Sequence, residues 1–156
     1  MAMSGRMVGE SALLHPRRMF DDPENADLSV GAEEEFTLVH VPSGAPAGIA
    51  DDVLTALGGD RRFEREFRTS QIESVSPVCC AAADVERELR SARLALSAAS
   101  PPDVAPLGTG CNPITRALTA VSPYPRYEQV ARVAPWAAHQ LETCGLHVHV
   151  GVAGAD

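Results

Sequence analysis

The chain has no lysine at all; its thirteen basic residues are arginines, set against 21 acidic ones, and the formal charge is −8. No basic cluster occurs, which argues against nucleic acid and against an anionic membrane surface as partners. The acidic balance is compatible instead with metal cations, which could bridge the protein to an anionic substrate. Aromatics are scarce at 4%, so the core is expected to rest on Val, Leu, Ala and Ile. No apolar run approaches the length of a membrane span. Residues 1–27 contain Arg6, Arg17 and Arg18 but no apolar stretch of the signal-peptide kind. None of the four cysteines, Cys79, Cys80, Cys111 and Cys144, stands in a C-x-x-C pair or at zinc-site spacing. Adjacent Cys79 and Cys80 cannot bridge each other without strain. Small buried, reduced thiols in a cytoplasmic protein are the expectation.

What is present suffices for one globular domain: 156 residues, 45% of them apolar. Residues 1–27 read as a poorly ordered leader, polar around Asp21, Asp22, Pro23, Glu24 and Asn25. A first element covers Leu28–Val41, β-rich in its second half, and the turn at Pro42-Ser43-Gly44 ends it. Ile49–Leu57 reads as a short helix stopped by Gly58 and Gly59. Arg61–Arg68 reads as a charged approach to a strand over Ser70–Val78. Asp84–Ala99 is the clearest helix: Val85, Leu89, Ala92 and Leu96 share a face, Glu86 can meet Arg90 one turn on, and Pro101-Pro102 stops it. Val104–Gly108 is a short strand into the loop GTGCNP. Arg126–Thr143 is helical by pattern, with Pro135 expected to split it. Cys144–Val152 alternates, with Leu146, Val148, Val150 and Val152 on one face and His147 and His149 on the other. A sheet ending on that strand would present an open edge, which favours self-association into a homo-oligomer.

Four places could carry chemistry. Glu33-Glu34-Glu35 puts three carboxylates into a strand, where Glu has weak propensity and like charges repel. In an extended chain Glu33 and Glu35 share a face, and such a pair offers hard oxygen ligands to Mg²⁺ or Mn²⁺; a solvated acidic edge is the plain alternative. Glu73 lies inside a strand-like run with Glu66 seven residues before it, and a carboxylate buried there would need a partner or a metal. His147 and His149 could ligate one metal, or could be two hydrogen-bonded, half-buried histidines. The GTGCNP loop could bring backbone N–H groups to an anion, or could be an ordinary turn; it is neither a Walker A loop nor a dinucleotide fingerprint.

In order along the chain, GAEEEFTLV, EFRTSQIESVSPV, DVERELRSARLAL, APLGTG, Arg126-Tyr127 and CGLHVHVGV resemble the glutamate–cysteine ligase family, and in particular its bacterial carboxylate–amine ligase branch. The resemblance spans roughly residues 28 to 152. It implies an α+β fold: the N-terminal part of a glutamine-synthetase-like antiparallel sheet with helices packed on one face. It implies that Glu33, Glu35, Glu66, Glu73 and His147 bind metal, and that Glu33, Glu35, Glu73 and His147 carry the chemistry. His149 has weaker support as a ligand. The implied reaction uses ATP and Mg²⁺ or Mn²⁺. Glutamate's γ-carboxylate is phosphorylated, and cysteine or another amine attacks the acyl phosphate. Many relatives read Gly-Thr-His-Pro where this chain has GTGCNP, which puts any role of that His in doubt. Family members are also considerably longer, so residues 28–156 are expected to be a partial catalytic domain, a fragment or truncated product. Two rivals remain: a metal-dependent hydrolase built on His147 and His149, and an inactive binding module derived from the ligase fold.

Overall fold

The computed structural model describes residues 29–114, 117–140 and 142–152; the leader expected over residues 1–27 lies outside them. The elements are β1 (Val30–His40), α1 (Ala50–Ala56), β2 (Phe63–Arg65), β3 (Gln71–Val75), α2 (Ala82–Ala99), β4 (Val104–Leu107), α3 (Pro125–Val133), α4 (Pro135–Gln140) and β5 (Leu146–Val150). The five strands form one sheet, all described pairings antiparallel, in the order β2-β3-β1-β4 with β5 also on β1. Strand β1 is long enough to serve two partners on one side: β5 along Val30–Glu34 and β4 along Thr37–His40.

Alternation along β1 sorts its side chains. Ala32, Glu34, Phe36 and Leu38 turn toward α1 and α2, and Glu33, Glu35 and Thr37 turn to the opposite face. The main core gathers Phe36, Leu38, Ala50, Val53, Phe63, Ile72, Ala92, Leu96 and Val104. A smaller cluster of Ala32, Cys79 and Val85 continues it toward the start of β1. The scarce aromatics thus do enter the core, contrary to expectation, because Phe36 and Phe63 fall on the helix-facing phase of their strands. Helices α1 and α2 cover that one face, while α3 and α4 flank the other.

Helix α2 begins two residues before the sequence pattern suggested and carries the expected Glu86–Arg90 ion pair at 2.7 Å. Ser100 stops it by donating its hydroxyl to Leu96 O at 2.8 Å. Gly58 and Gly59 end α1 with φ of 66° and 82°, backbone that a side chain would strain. Pro135 splits the α3–α4 segment after Ala134, as its ring and missing N–H require. The stretch read as a charged approach instead holds β2. Its acidic and basic residues are compatible with an outer strand, where one edge meets water. The cysteines also differ from expectation: Cys79 is buried, Cys144 half-buried, and Cys80 and Cys111 are exposed, all four with free thiols. No helix among the described residues is long and apolar enough to cross a membrane.

Candidate metal and substrate site

Register decides which acidic residues meet. Directly opposed residues of antiparallel strands place their side chains on the same face. Glu35 pairs with Glu73, Glu33 with His147, and Glu73 in turn with Glu64. Strands β1, β3 and β5 therefore deliver Glu33, Glu35, Glu73 and His147 to the face opposite α2. One ligand atom each from Glu33, Glu73 and His147 lie within 4.8 Å of one another.

The electrostatics of this face are unfavourable to free carboxylates. Glu73 is pushed up to about 8, first by burial and then by Glu33, Glu66, Glu35 and Glu64 around it. Glu66 is raised as well, by burial first and then by Glu35. Glu33 is buried; its Oε2 lies 3.3 Å from His147 Nδ1 and 3.3 Å from His149 Nε2. Its Oε1 is shielded from water and has no hydrogen-bond partner among the described residues. Two close carboxylates, an imidazole and an unsatisfied buried oxygen are the donor set a hard divalent cation would complete.

Glu35 is aimed differently. Its Oε2 accepts from Gly145 N at 2.9 Å, while its own N donates to Gly145 O at 3.0 Å. Glu66 stands at the outer side, where its Oε2 lies 3.1 Å from the Tyr127 hydroxyl, a group that also donates to Arg65 O at 2.8 Å. Burial and the Glu66 carboxylate hold the Tyr127 phenol well above its ordinary range. Between these groups opens a cavity of about 330 Å³ lined by Glu35, Glu66, Gln71, Arg126, Tyr127 and Glu142, with Phe67, Val130, Ala138 and Thr143 completing the wall.

All five candidates thus border one continuous face, with Glu33, Glu73 and His147 in the tight group and Glu35 and Glu66 beside the cavity. Glu34 belongs to the other face. The GTGCNP loop meets the segment leading to the site through backbone contacts: Cys111 bridges Thr143, and Gly110 O accepts from Cys144 N at 3.2 Å. Sequence reading missed Gln71, Tyr127 as a partner of Glu66, and Glu142. Gln71 carried a usable signal, being two residues from Glu73 and hence on its face; Glu142 lies in a segment whose placement depends on contacts distant in sequence.

A family model described as glutamate-cysteine ligase family 2 matches residues 29–156. A Rhodococcus jostii protein named "Putative glutamate--cysteine ligase 2-1" is 41% identical over 133 residues, which is 83% of this chain and 36% of that protein. A Salinispora arenicola protein named "Putative glutamate--cysteine ligase 2" is 36% identical over 135 residues, 85% of this chain and 36% of that protein. The chain spans about a third of the length of these relatives. Among solved structures, a bifunctional glutathione synthetase from Pasteurella multocida superposes with a TM-score of 0.64 at 18% identity, over 79% of this chain and 17% of that one. A glutamate–cysteine ligase from Francisella tularensis, solved in complex with AMP, does so with a TM-score of 0.61 at 15% identity, over 83% of this chain and 28% of that one. These two likenesses establish the fold.

Proposed function

This chain belongs to glutamate–cysteine ligase family 2, and on that premise we propose that it contributes the N-terminal wall of an ATP-dependent carboxylate–amine ligase site, forming a γ-glutamyl amide from glutamate and cysteine or another amine. The observation that carries the reading is the meeting of Glu33, Glu73 and His147 ligand atoms within 4.8 Å. Glu33, Glu35, Glu66, Glu73 and His147 are the proposed metal residues, and Mg²⁺ or Mn²⁺ the proposed ion, since carboxylate oxygens outnumber nitrogen donors. ATP is favoured by the AMP that the Francisella tularensis ligase binds. A cytoplasmic setting, where ATP and reduced thiols coexist, agrees with four free cysteines.

In this reading a γ-carboxylate oxygen attacks the terminal phosphorus of ATP and ADP leaves. The amine nitrogen then attacks the acyl carbon, loses a proton and expels phosphate. A divalent cation would screen the negative charge that brings phosphates and carboxylate together. The chain's own residues gather and hold. Glu33, Glu73 and His147 come from three paired strands, so their spacing is set by sheet register rather than by loop conformation. Glu35 is oriented by Gly145, and Glu66 by Tyr127. The packed helices behind β1 keep water from that side of the sheet.

Titration calorimetry with Mg²⁺, Mn²⁺ and Zn²⁺, with and without ATP, tests the metal reading. Mg²⁺ or Mn²⁺ binding that strengthens with ATP and falls about tenfold or more in Glu33→Gln and Glu73→Gln is the expected result. Tight Zn²⁺ binding that depends on His147 and His149, with no Mg²⁺ response, would favour the hydrolase rival. A coupled ADP-release assay on the complete protein with glutamate and cysteine tests the reaction itself.

A further inference from the structure

Among the described residues Arg68 is the one buried arginine, at 3% exposure. Burial lowers its pKa, yet a guanidinium remains charged. Its place between β2 and β3 is far in sequence from everything it holds. Nη1 donates to Thr119 O at 2.8 Å, Nη2 donates to Ala138 O in α4, and the guanidinium lies 5.4 Å from the centre of the Phe67 ring. Its backbone bridges Val121, and its N donates to Gln71 Oε1 at 3.2 Å.

The neighbouring residues extend this frame. The Ser70 hydroxyl lies 2.7 Å from Thr119 Oγ1 and 3.2 Å from Glu142 Oε1, and Gln71 Nε2 donates to Thr143 O at 2.8 Å. Two residues further, Gly145 makes its paired hydrogen bonds with Glu35. A connected set of polar contacts therefore runs from Arg68 to a carboxylate of the proposed metal site. Along it stand Phe67, Gln71, Ala138, Glu142 and Thr143, which line the 330 Å³ cavity.

We propose that Arg68 is a positioning residue: its buried fork clamps α4 and Thr119 to the β2–β3 connection, and through Thr119, Ser70 and Glu142 it steadies the 142–145 segment, whose Gly145 orients Glu35. Functional weight for this clamp rests on the reading of Glu35 as a metal ligand. The tight group of Glu33, Glu73 and His147 is set chiefly by β-ladder register and depends on Arg68 far less. Lysine cannot replace the fork, because a single ammonium cannot span two carbonyl oxygens in the same planar geometry.

The test combines hydrogen exchange with Mn²⁺ titration on the full chain, comparing Arg68→Met and Arg68→Lys. In Arg68→Met, amide protection should fall about tenfold or more in α4 and in residues 142–145 while α2 and β3 keep theirs. Arg68→Lys should recover part of that protection. Mn²⁺ affinity should fall in Arg68→Met; the loss should not add to that of Glu35→Gln, and should add to that of Glu33→Gln. Unchanged protection in α4, equal loss across the whole sheet, or full additivity with Glu35→Gln would overturn the proposal. An unaltered chain that binds no Mn²⁺ would instead sink the metal reading, and the exchange pattern would still decide whether Arg68 holds this wall.

Discussion

Glu34 and Arg93 meet across the interface of β1 and α2 through a forked pair of hydrogen bonds, Nε to Oε2 at 2.9 Å and Nη2 to Oε1 at 2.8 Å. The middle of three successive glutamates is thereby held on the helix side of the sheet, with its side chain 10% exposed, while its neighbours occupy the other face. A strand with three carboxylates could be attracted to water along its whole length; this pair gives one of them a partner inside and reinforces the alternation that separates the other two.

Arg93→Met should destabilise the chain by about 2 kcal/mol, below the 3–5 kcal/mol typical of a fully buried pair because Arg93 is half exposed. Glu34→Gln, which removes the buried charge, should cost less than Arg93→Met, which strands it. Urea unfolding monitored by circular dichroism measures both. Equal losses in the two variants would show that the charge of Glu34 is not what Arg93 offsets.

The metal-free chain should lose stability as pH rises from about 4.5 to about 8. Glu73 titrates near 8 in the fold against 4.5 for its ordinary value, so the folded state binds the extra proton across that window. Its contribution is complete below the lower value and lost on passing the upper one. Glu66, raised in the same direction, adds to the trend. Glu73→Gln should flatten the profile of melting temperature against pH. Mn²⁺ should stabilise more at pH 8 than at pH 5, because binding must displace the proton. A flat profile in the unaltered chain would contradict the crowding of these carboxylates.

Gly145→Ala should weaken Mn²⁺ binding several-fold with little change in stability. A methyl group there would stand 2.9 Å from His147 Nε2 and 3.4 Å from Glu35 Oε1, so the imidazole has to swing aside. The glycine's neighbours are ends of flexible side chains, which move more cheaply than backbone. A calorimetric titration paired with a thermal melt separates the two effects. A large drop in melting temperature would instead locate the cost in the backbone.

Leu38→Ala should destabilise by about 2–5 kcal/mol without altering metal affinity, since Leu38 is fully buried on the helix face and points away from the carboxylates. Denaturant unfolding and Mn²⁺ titration together check it; an affinity loss would mean that core and site are coupled through β1.

The alternation in GAEEEFTLV and CGLHVHVGV was enough, with no structure, to assign Glu33 and Glu35 to one face, Glu34 to the other, and His147 and His149 together. It was enough because period-two geometry is local: each Cβ direction follows from extended backbone alone. The helix read over Asp84–Ala99, two residues short of its observed start at Ala82, and the break at Pro135 were legible for the same reason, since spacing and proline act within a turn or two. Strand β2 was not, because Phe63-Glu64-Arg65 has no pattern of its own; pairing with β3 makes it a strand. Which glutamate faces which histidine was likewise beyond the sequence. Glu33 opposite His147 and Glu35 opposite Glu73 are facts of register, and a slip of one residue would have sent each to the other face. The raised pKa of Glu73, the orphaned oxygen of Glu33, the burial of Arg68 and the partner of Glu34 all arise from contacts across tens of residues. Local chemistry chose the residues and their phase; only the closure of the sheet and its helices decided their company.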